Sequence, residues 1–329
     1  MTTSPVLAVK GLTLDFATRH GSLRALDDVS FTIGRGEVLG IVGESGAGKS
    51  LTGSAIIGLV ERPGRISGGE IHLNGSRIDN LPPAAIRAIR GRKIGMIFQD
   101  PLTSLNPVFR IGDQLVETIQ THLPLSRAEA RQKAIALLTE VGIPAPENRI
   151  DAYPHEFSGG MRQRVVIALA LSVEPDLIIA DEPTTALDVS VQAQIITLVK
   201  RLCRTRGTSV MLITHDMGVI AETADRVAVM YAGRIIEIGP VADVIRSPRH
   251  PYASGLMGAI PALDTRTKRL TQINGSMPRL DAIPAGCAFA PRCPKVFARC
   301  MTERPDLMEG GASSAACWQL IYGLPEARK

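Results

Sequence analysis

The octapeptide Gly43-Glu44-Ser45-Gly46-Ala47-Gly48-Lys49-Ser50 sets the narrowest limits on what this chain can become. It fits G-x-x-x-x-G-K-[ST] and stands between the apolar run Val38–Val42, read as a buried strand, and a helical pattern beginning near Gly48. In that setting the glycines let backbone N–H groups curl around phosphate oxygens, and the helix N-terminus adds partial positive charge. Lys49 is then placed to reach the β- and γ-phosphates, and the Ser50 hydroxyl to ligate Mg²⁺, with Leu51 and Thr52 continuing the loop into the helix. A strand, a loop and a helix in that order imply an α/β fold.

The rest of the chain agrees. From Val6 to Gly239 short β-branched runs alternate with helical stretches, which reads as a largely parallel sheet. Leu177–Ala180 and Ser209–Thr214 are further apolar strands, each followed by polar residues, the pattern expected where strand ends open onto a site. Between Pro101 and Phe157 helical signals dominate, and Ser126-Arg127-Ala128-Glu129 is a capping box opening a helix toward Val141. Arg226–Tyr231 and Arg234–Ile238 flank Ala232-Gly233 and read as a hairpin. No run approaches the ~18 apolar residues of a membrane span. Neither a secretory nor a targeting signal is readable in Met1–Val9, so a cytoplasmic location is expected. The net charge of +5 lies wholly in residues 240–329, with 12 Lys/Arg against 7 Asp/Glu, a mixed segment that fits a solvated surface.

A nucleotide site needs carboxylates, and Asp181-Glu182 supplies them at the end of the run Leu177–Ala180. Asp181 is assigned to Mg²⁺ and Glu182 to the water that attacks the γ-phosphate. Such a pair alone is more often a cap or a surface turn; the upstream loop gives it its meaning. Farther back, Ser158-Gly159-Gly160-Met161-Arg162-Gln163 opens a helix and offers a second set of anion-binding N–H groups. One triphosphate does not need both, so the second set is assigned to nucleotide held by a neighbouring subunit.

These residues resemble the signature motif of ABC ATPases, and the rest of that family's set follows in order: Gln99, Ala186-Leu187-Asp188 and His215. The resemblance implies a P-loop NTPase of the ABC nucleotide-binding type with a helical subdomain at about residues 101–170. It implies a head-to-tail dimer with ATP between Gly43–Thr52 of one chain and Ser158, Gly159, Gly160 and Gln163 of the other. Gln99 would sense metal and water, His215 the γ-phosphate, and Asp188 the dimer contact. An adenine-stacking aromatic is expected near His20, with Phe16 close by.

His250-Pro251-Tyr252, Gly286–Pro294 and Ala316-Cys317-Trp318 resemble the C-terminal extension of the oligopeptide/dipeptide (peptide/nickel) import branch. A domain boundary is therefore set near 260, with a small extension over 261–329. Its cysteines, Cys287, Cys293, Cys300 and Cys317, run C-x5-C-x6-C-x16-C. In a reducing cytoplasm such a cluster more often binds metal than forms disulfides. Arg292, Lys295 and Arg299 are expected to lower the thiol pKa values. The spacing does not choose between zinc, an iron–sulfur cluster and no metal; the resemblance implies [4Fe-4S], with zinc the alternative. Cys203 reads as a buried apolar residue.

The expected function is ATP hydrolysis in a bacterial importer, peripheral on the cytoplasmic face of the inner membrane. The expected partners are two permease subunits, a second ATPase subunit (the same chain or a sister) and an external solute-binding protein. The competing readings are a soluble ABC ATPase acting on nucleic acid or ribosomes, and a tail that senses redox state. Against the first stand a single cassette and no sustained heptads. No nucleic-acid partner is expected.

Overall fold

The computed structural model describes residues 4–19, 21–184, 188–258 and 273–322. Its strands are β1 (Leu7–Thr18), β2 (Gly21–Ile33), β3 (Val38–Val42), β4 (Gly64–Leu73), β5 (Ser76–Arg77), β6 (Ile94–Ile97), β7 (Leu177–Asp181), β8 (Ser209–Ile213), β9 (Arg226–Tyr231), β10 (Arg234–Pro240), β11 (Met308–Gly310) and β12 (Ser313–Ala315). The chain divides into two compact units. One comprises residues 1–7, 33–38 and 73–212, the other 8–32, 39–72 and 213–329.

In the first unit β6 runs parallel to β7, with Ile94 opposite Leu177 and Ile97 opposite Ala180, and β8 follows beside β7. Every residue of β7 and β8 is buried, as expected for strands covered on both faces. Between β6 and β7 the described residues hold only helices, including Ile111–His122, Arg127–Glu140 and Gly159–Leu171. The capping box forms as the sequence predicts: the Ser126 side chain accepts from the Glu129 N–H, and the Glu129 carboxylate accepts from the Ser126 N–H at 2.8 Å. Ala130, Ala134, Leu137 and Leu138 then recur at helical spacing on the buried face. The helix Val189–Arg206 ends on Gly207 and carries Cys203, which is 1% exposed with its thiol pushed up to about 12 by burial.

In the second unit β3 runs parallel to β9, with Leu39 opposite Arg226 and Val42 opposite Val229. β9 and β10 form the expected antiparallel hairpin, turning at Ala232-Gly233. β12 joins the far side of β10, and β11 pairs with β12. β1, β2 and β4 make an additional sheet that sequence reading did not separate from the parallel one. The buried side chains of β2, Ala25, Leu26, Val29, Phe31 and Ile33, mostly alternate with more exposed ones after Leu26, so the strand is half-buried.

Candidate nucleotide site

The phosphate loop leaves the fully buried β3 and ends in the helix Lys49–Ile56, the strand-loop-helix context the motif requires. Gly43 has φ 154°, and a Cβ there would run into the Met230 carbonyl oxygen, so the tight exit from the strand admits only glycine. Lys49 is 5% exposed, and its ammonium donates to the carbonyls of Gly43 at 2.8 Å and Glu44 at 3.0 Å. The lysine is thus held along the loop with its charge on the loop's inner side. Thr52 donates to the Gly48 carbonyl at 2.8 Å, and the Ala47 carbonyl accepts from the Gly233 N–H of the hairpin turn at 3.0 Å.

The loop is also braced from the tail side of the same unit. The Glu44 N–H donates to the Tyr252 hydroxyl at 2.9 Å. Tyr252 is fully buried and is oriented by His250, whose Nδ1 accepts the Tyr252 N–H at 3.0 Å. Burial drives the His250 imidazole down to a pKa of about 3, so it is the neutral form that accepts this bond. Beneath it Glu237, 0% exposed, accepts from the Arg249 and His250 N–H groups. Burial raises the Glu237 carboxyl despite those two donors. The His-Pro-Tyr sequence therefore works as a backbone brace for the loop.

In the first unit the carboxylates close the β7 strand. Asp181 is its last, buried residue, and Glu182 follows at φ 44°, a left-handed conformation that costs a non-glycine residue about 1–3 kcal/mol. The Gln99 amide donates to Glu182 Oε2 at 3.1 Å. Sequence reading assigned Glu182 to the attacking water, and the resemblance gave Gln99 to metal and water; the structure brings their side chains together.

The helix Gly159–Leu171 starts at Ser158, whose hydroxyl accepts from the Met161 N–H at 3.3 Å. Ser158 and Gly159 are exposed. Gln163 is not: its side chain is 1% exposed and its Nε2 is buried without a partner, so it faces the interior one turn past the helix start. Its expected contact with a neighbour's nucleotide is not available in this arrangement. Asp188 is exposed at the start of Val189–Arg206, while Ala186-Leu187 lies outside the described residues. His215 follows β8, and Asp216 caps the helix Met217–Thr223. His20 also lies outside the described residues; Phe16 is half-buried, its ring against the backbone of Gly64.

Cys287, Cys293, Cys300 and Cys317 line one small cavity with Phe289 and Trp318, and none is in a disulfide. Four thiols are donors that suit a thiophilic metal. Among the described residues, no group of three or more His, Cys, Asp or Glu side chains is arranged to hold a metal ion. The expected lowering of the thiol pKa values is not met. Burial pushes Cys287 up to about 11 and raises Cys293 and Cys317. Lys295 does pull Cys293 and Cys317 down, but burial outweighs it. The neighbouring arginines are engaged elsewhere: Arg292 pairs with Glu44, and Arg299 lies 3.8 Å over the Trp318 ring and pairs with Glu303.

No helix among the described residues is long and apolar enough to cross a membrane. The ABC transporter family model matches residues 26–185, and the oligopeptide/dipeptide transporter C-terminal region model matches residues 236–300. Over 300 residues the chain is 50% identical to the oligopeptide transport ATP-binding protein OppD of Salmonella typhimurium, covering 91% of this chain and 89% of that protein. It is 47% identical over 315 residues to the dipeptide transport ATP-binding protein DppD of Bacillus subtilis, covering 95% and 94%. Among solved structures, the dimeric post-hydrolysis state of the ATP-binding cassette MJ0796 bound to ADP and Pi is similar, with a TM-score of 0.64 and 28% identity. That match covers 71% of this chain and 98% of the other. Together with the phosphate loop and the carboxylates closing β7, these likenesses make the chain an ABC-type ATPase of the family that holds the oligopeptide and dipeptide transport ATP-binding proteins.

Proposed function

We propose that this chain is the ATP-hydrolysing subunit of a bacterial peptide importer. The observation that carries the reading is the Lys49-bearing loop in a chain whose strand-end Glu182 is held by Gln99. Lys49 and the loop amides would bind the β- and γ-phosphates, and Ser50, Gln99 and Asp181 would hold Mg²⁺, which would supply charge neutralisation on those phosphates. Glu182 takes a proton from the attacking water, and His215 contacts the γ-phosphate. Ser158 and Gly159 of a second ATPase subunit, the same chain or a sister, close over the nucleotide in head-to-tail fashion, with Asp188 at the contact. Closing and opening of that dimer drives two permease subunits, to which an external solute-binding protein delivers peptide. The division into a cassette over 1–260 and an extension over 261–329 belongs to this proposal.

A place on the cytoplasmic face of the inner membrane follows from the partners. Co-expressed with the two permeases of its importer, the protein should pellet with membranes, and without them it should remain in the supernatant. Recovery in the supernatant in both cases would overturn the reading. The nucleic-acid and ribosome alternative gains nothing from relatives named for peptide transport.

The four-cysteine cavity is proposed to take a thiolate-bound metal, [4Fe-4S] before zinc. It would supply a structural cross-link, and the buried thiols must lose their protons to bind it. Anaerobic purification is expected to give a brown protein with about four iron atoms per chain. A colourless protein with stoichiometric zinc would replace the cluster by zinc.

A further inference from the structure

We infer that Arg292 of the C-terminal extension is a positioning residue for the phosphate loop, neutralising and anchoring Glu44 so that the loop can grip a polyphosphate. The inference rests on the reading of Gly43–Ser50 as the nucleotide site.

A carboxylate at the second position of a phosphate-binding loop is an electrostatic liability, because it repels the charge the loop is built to attract. Here it is answered by a guanidinium 248 residues away in sequence. Arg292 Nη1 donates to Glu44 Oε2 at 3.0 Å and Nη2 to Oε1 at 3.0 Å, a bidentate fork in which the arginine is 6% and the glutamate 29% exposed.

The arginine itself is fixed on every side. Its Nε donates to the Asn274 carbonyl at 2.9 Å, Nη2 to the Gly275 carbonyl at 3.2 Å and Nη1 to the Tyr231 hydroxyl at 3.3 Å. The guanidinium carbon lies 5.8 Å from the Tyr231 ring centre and 5.9 Å from that of Phe289. A side chain held by so many partners fixes the position of whatever it pairs with. Met277 adds a second contact: a Cβ on Gly46, itself at φ 82°, would lie 3.0 Å from its Cε. With the Tyr252 hydroxyl on the Glu44 amide, the tail holds the outer side of the loop through a charge pair, a hydrogen bond and a packing contact. The Glu44 N–H and carboxylate are thus both engaged by the tail, while its carbonyl accepts from Lys49.

The test is a double-mutant cycle on the full-length protein, read as affinity for a non-hydrolysable ATP analogue with Mg²⁺ and as the split between KM and kcat. Arg292→Gln is expected to weaken the analogue about 10-fold and raise KM for ATP with kcat within about threefold, because an unpaired Glu44 then faces the phosphates. In the Glu44→Gln background the same substitution should change affinity less than about twofold, and Arg292→Lys should restore much of the loss. An equal loss in both backgrounds would mean that Arg292 only supports the fold of the extension, and it overturns the inference. So does an unchanged affinity in Arg292→Gln. Where Arg292→Gln folds poorly, Arg292→Met, which keeps the length of the side chain without its charge, takes its place at both corners of the cycle, with the same outcomes expected. Lys49→Ala is the control: if it binds the analogue normally, the nucleotide-site reading fails, whereas a normal Lys49 loss with an unresponsive Arg292 sinks the positioning role alone.

Discussion

Glu182→Gln is expected to lower the rate of ATP hydrolysis by about 10²–10⁴-fold while leaving ATP affinity within a few-fold of the parent. The substitution preserves size and the carbonyl oxygen that accepts the Gln99 amide at 3.1 Å, so the local geometry survives. What is lost is the negative charge and basicity by which the carboxylate takes a proton from water. The left-handed backbone at Glu182, φ 44°, supports a functional assignment, since a chain free to choose would place glycine or asparagine there. Phosphate release under saturating ATP measures the loss, and gel filtration with MgATP should show the trapped dimer. A variant that hydrolyses ATP at the parental rate would remove Glu182 from the chemistry.

Lys49→Ala acts on binding instead. The Lys49 ammonium is buried and already donates to two loop carbonyls, so its position is set before any phosphate arrives. A charge-assisted hydrogen bond contributes about 1.5–3 kcal/mol, and a factor of ten in affinity is about 1.4 kcal/mol. Loss of two such bonds to the β- and γ-phosphates corresponds to about 10²–10⁴ in Kd. The alanine also leaves the Gly43 and Glu44 carbonyls without their donor, which loosens the loop. Titration calorimetry with ATP reads the change, and an affinity within threefold of the parent would contradict the assignment.

The parts of the fold legible in the sequence are those whose signal is contiguous. The phosphate loop, the strands ending at Asp181 and Ile213, the capping box at Ser126 and the hairpin at Ala232-Gly233 each occupy a few consecutive residues, and each forms within a residue of where it is expected. The sheet of β1, β2 and β4 was not separated, because half-buried strands carry a diluted apolar signal. The resemblance assigned Gln163 to a neighbour's nucleotide with the rest of the signature segment, yet helical rotation turns it inward beside Val166 and Ile167 on the buried face. The thiol pKa values were misread because burial, which the local sequence does not display, outweighs the pull of Lys295 on Cys293 and Cys317. Arg292 follows Cys287 by five residues, but its guanidinium points to Glu44, a partner that no local pattern could indicate.

The way β12 lies against β10 bears on how the extension can be inherited. Glu237 and Ile238 pair with Ala315 and Ser314, and the Ala316 N–H donates to the Ile236 carbonyl at 2.8 Å. One border of β10 is given to β9 and the other to the extension, so cutting the extension away would uncover a row of unsatisfied amides and carbonyls. Such a naked border is a template for pairing with other chains. A lineage that discards the cysteine lobe must therefore supply another lid for that strand, or accept a cassette prone to clump.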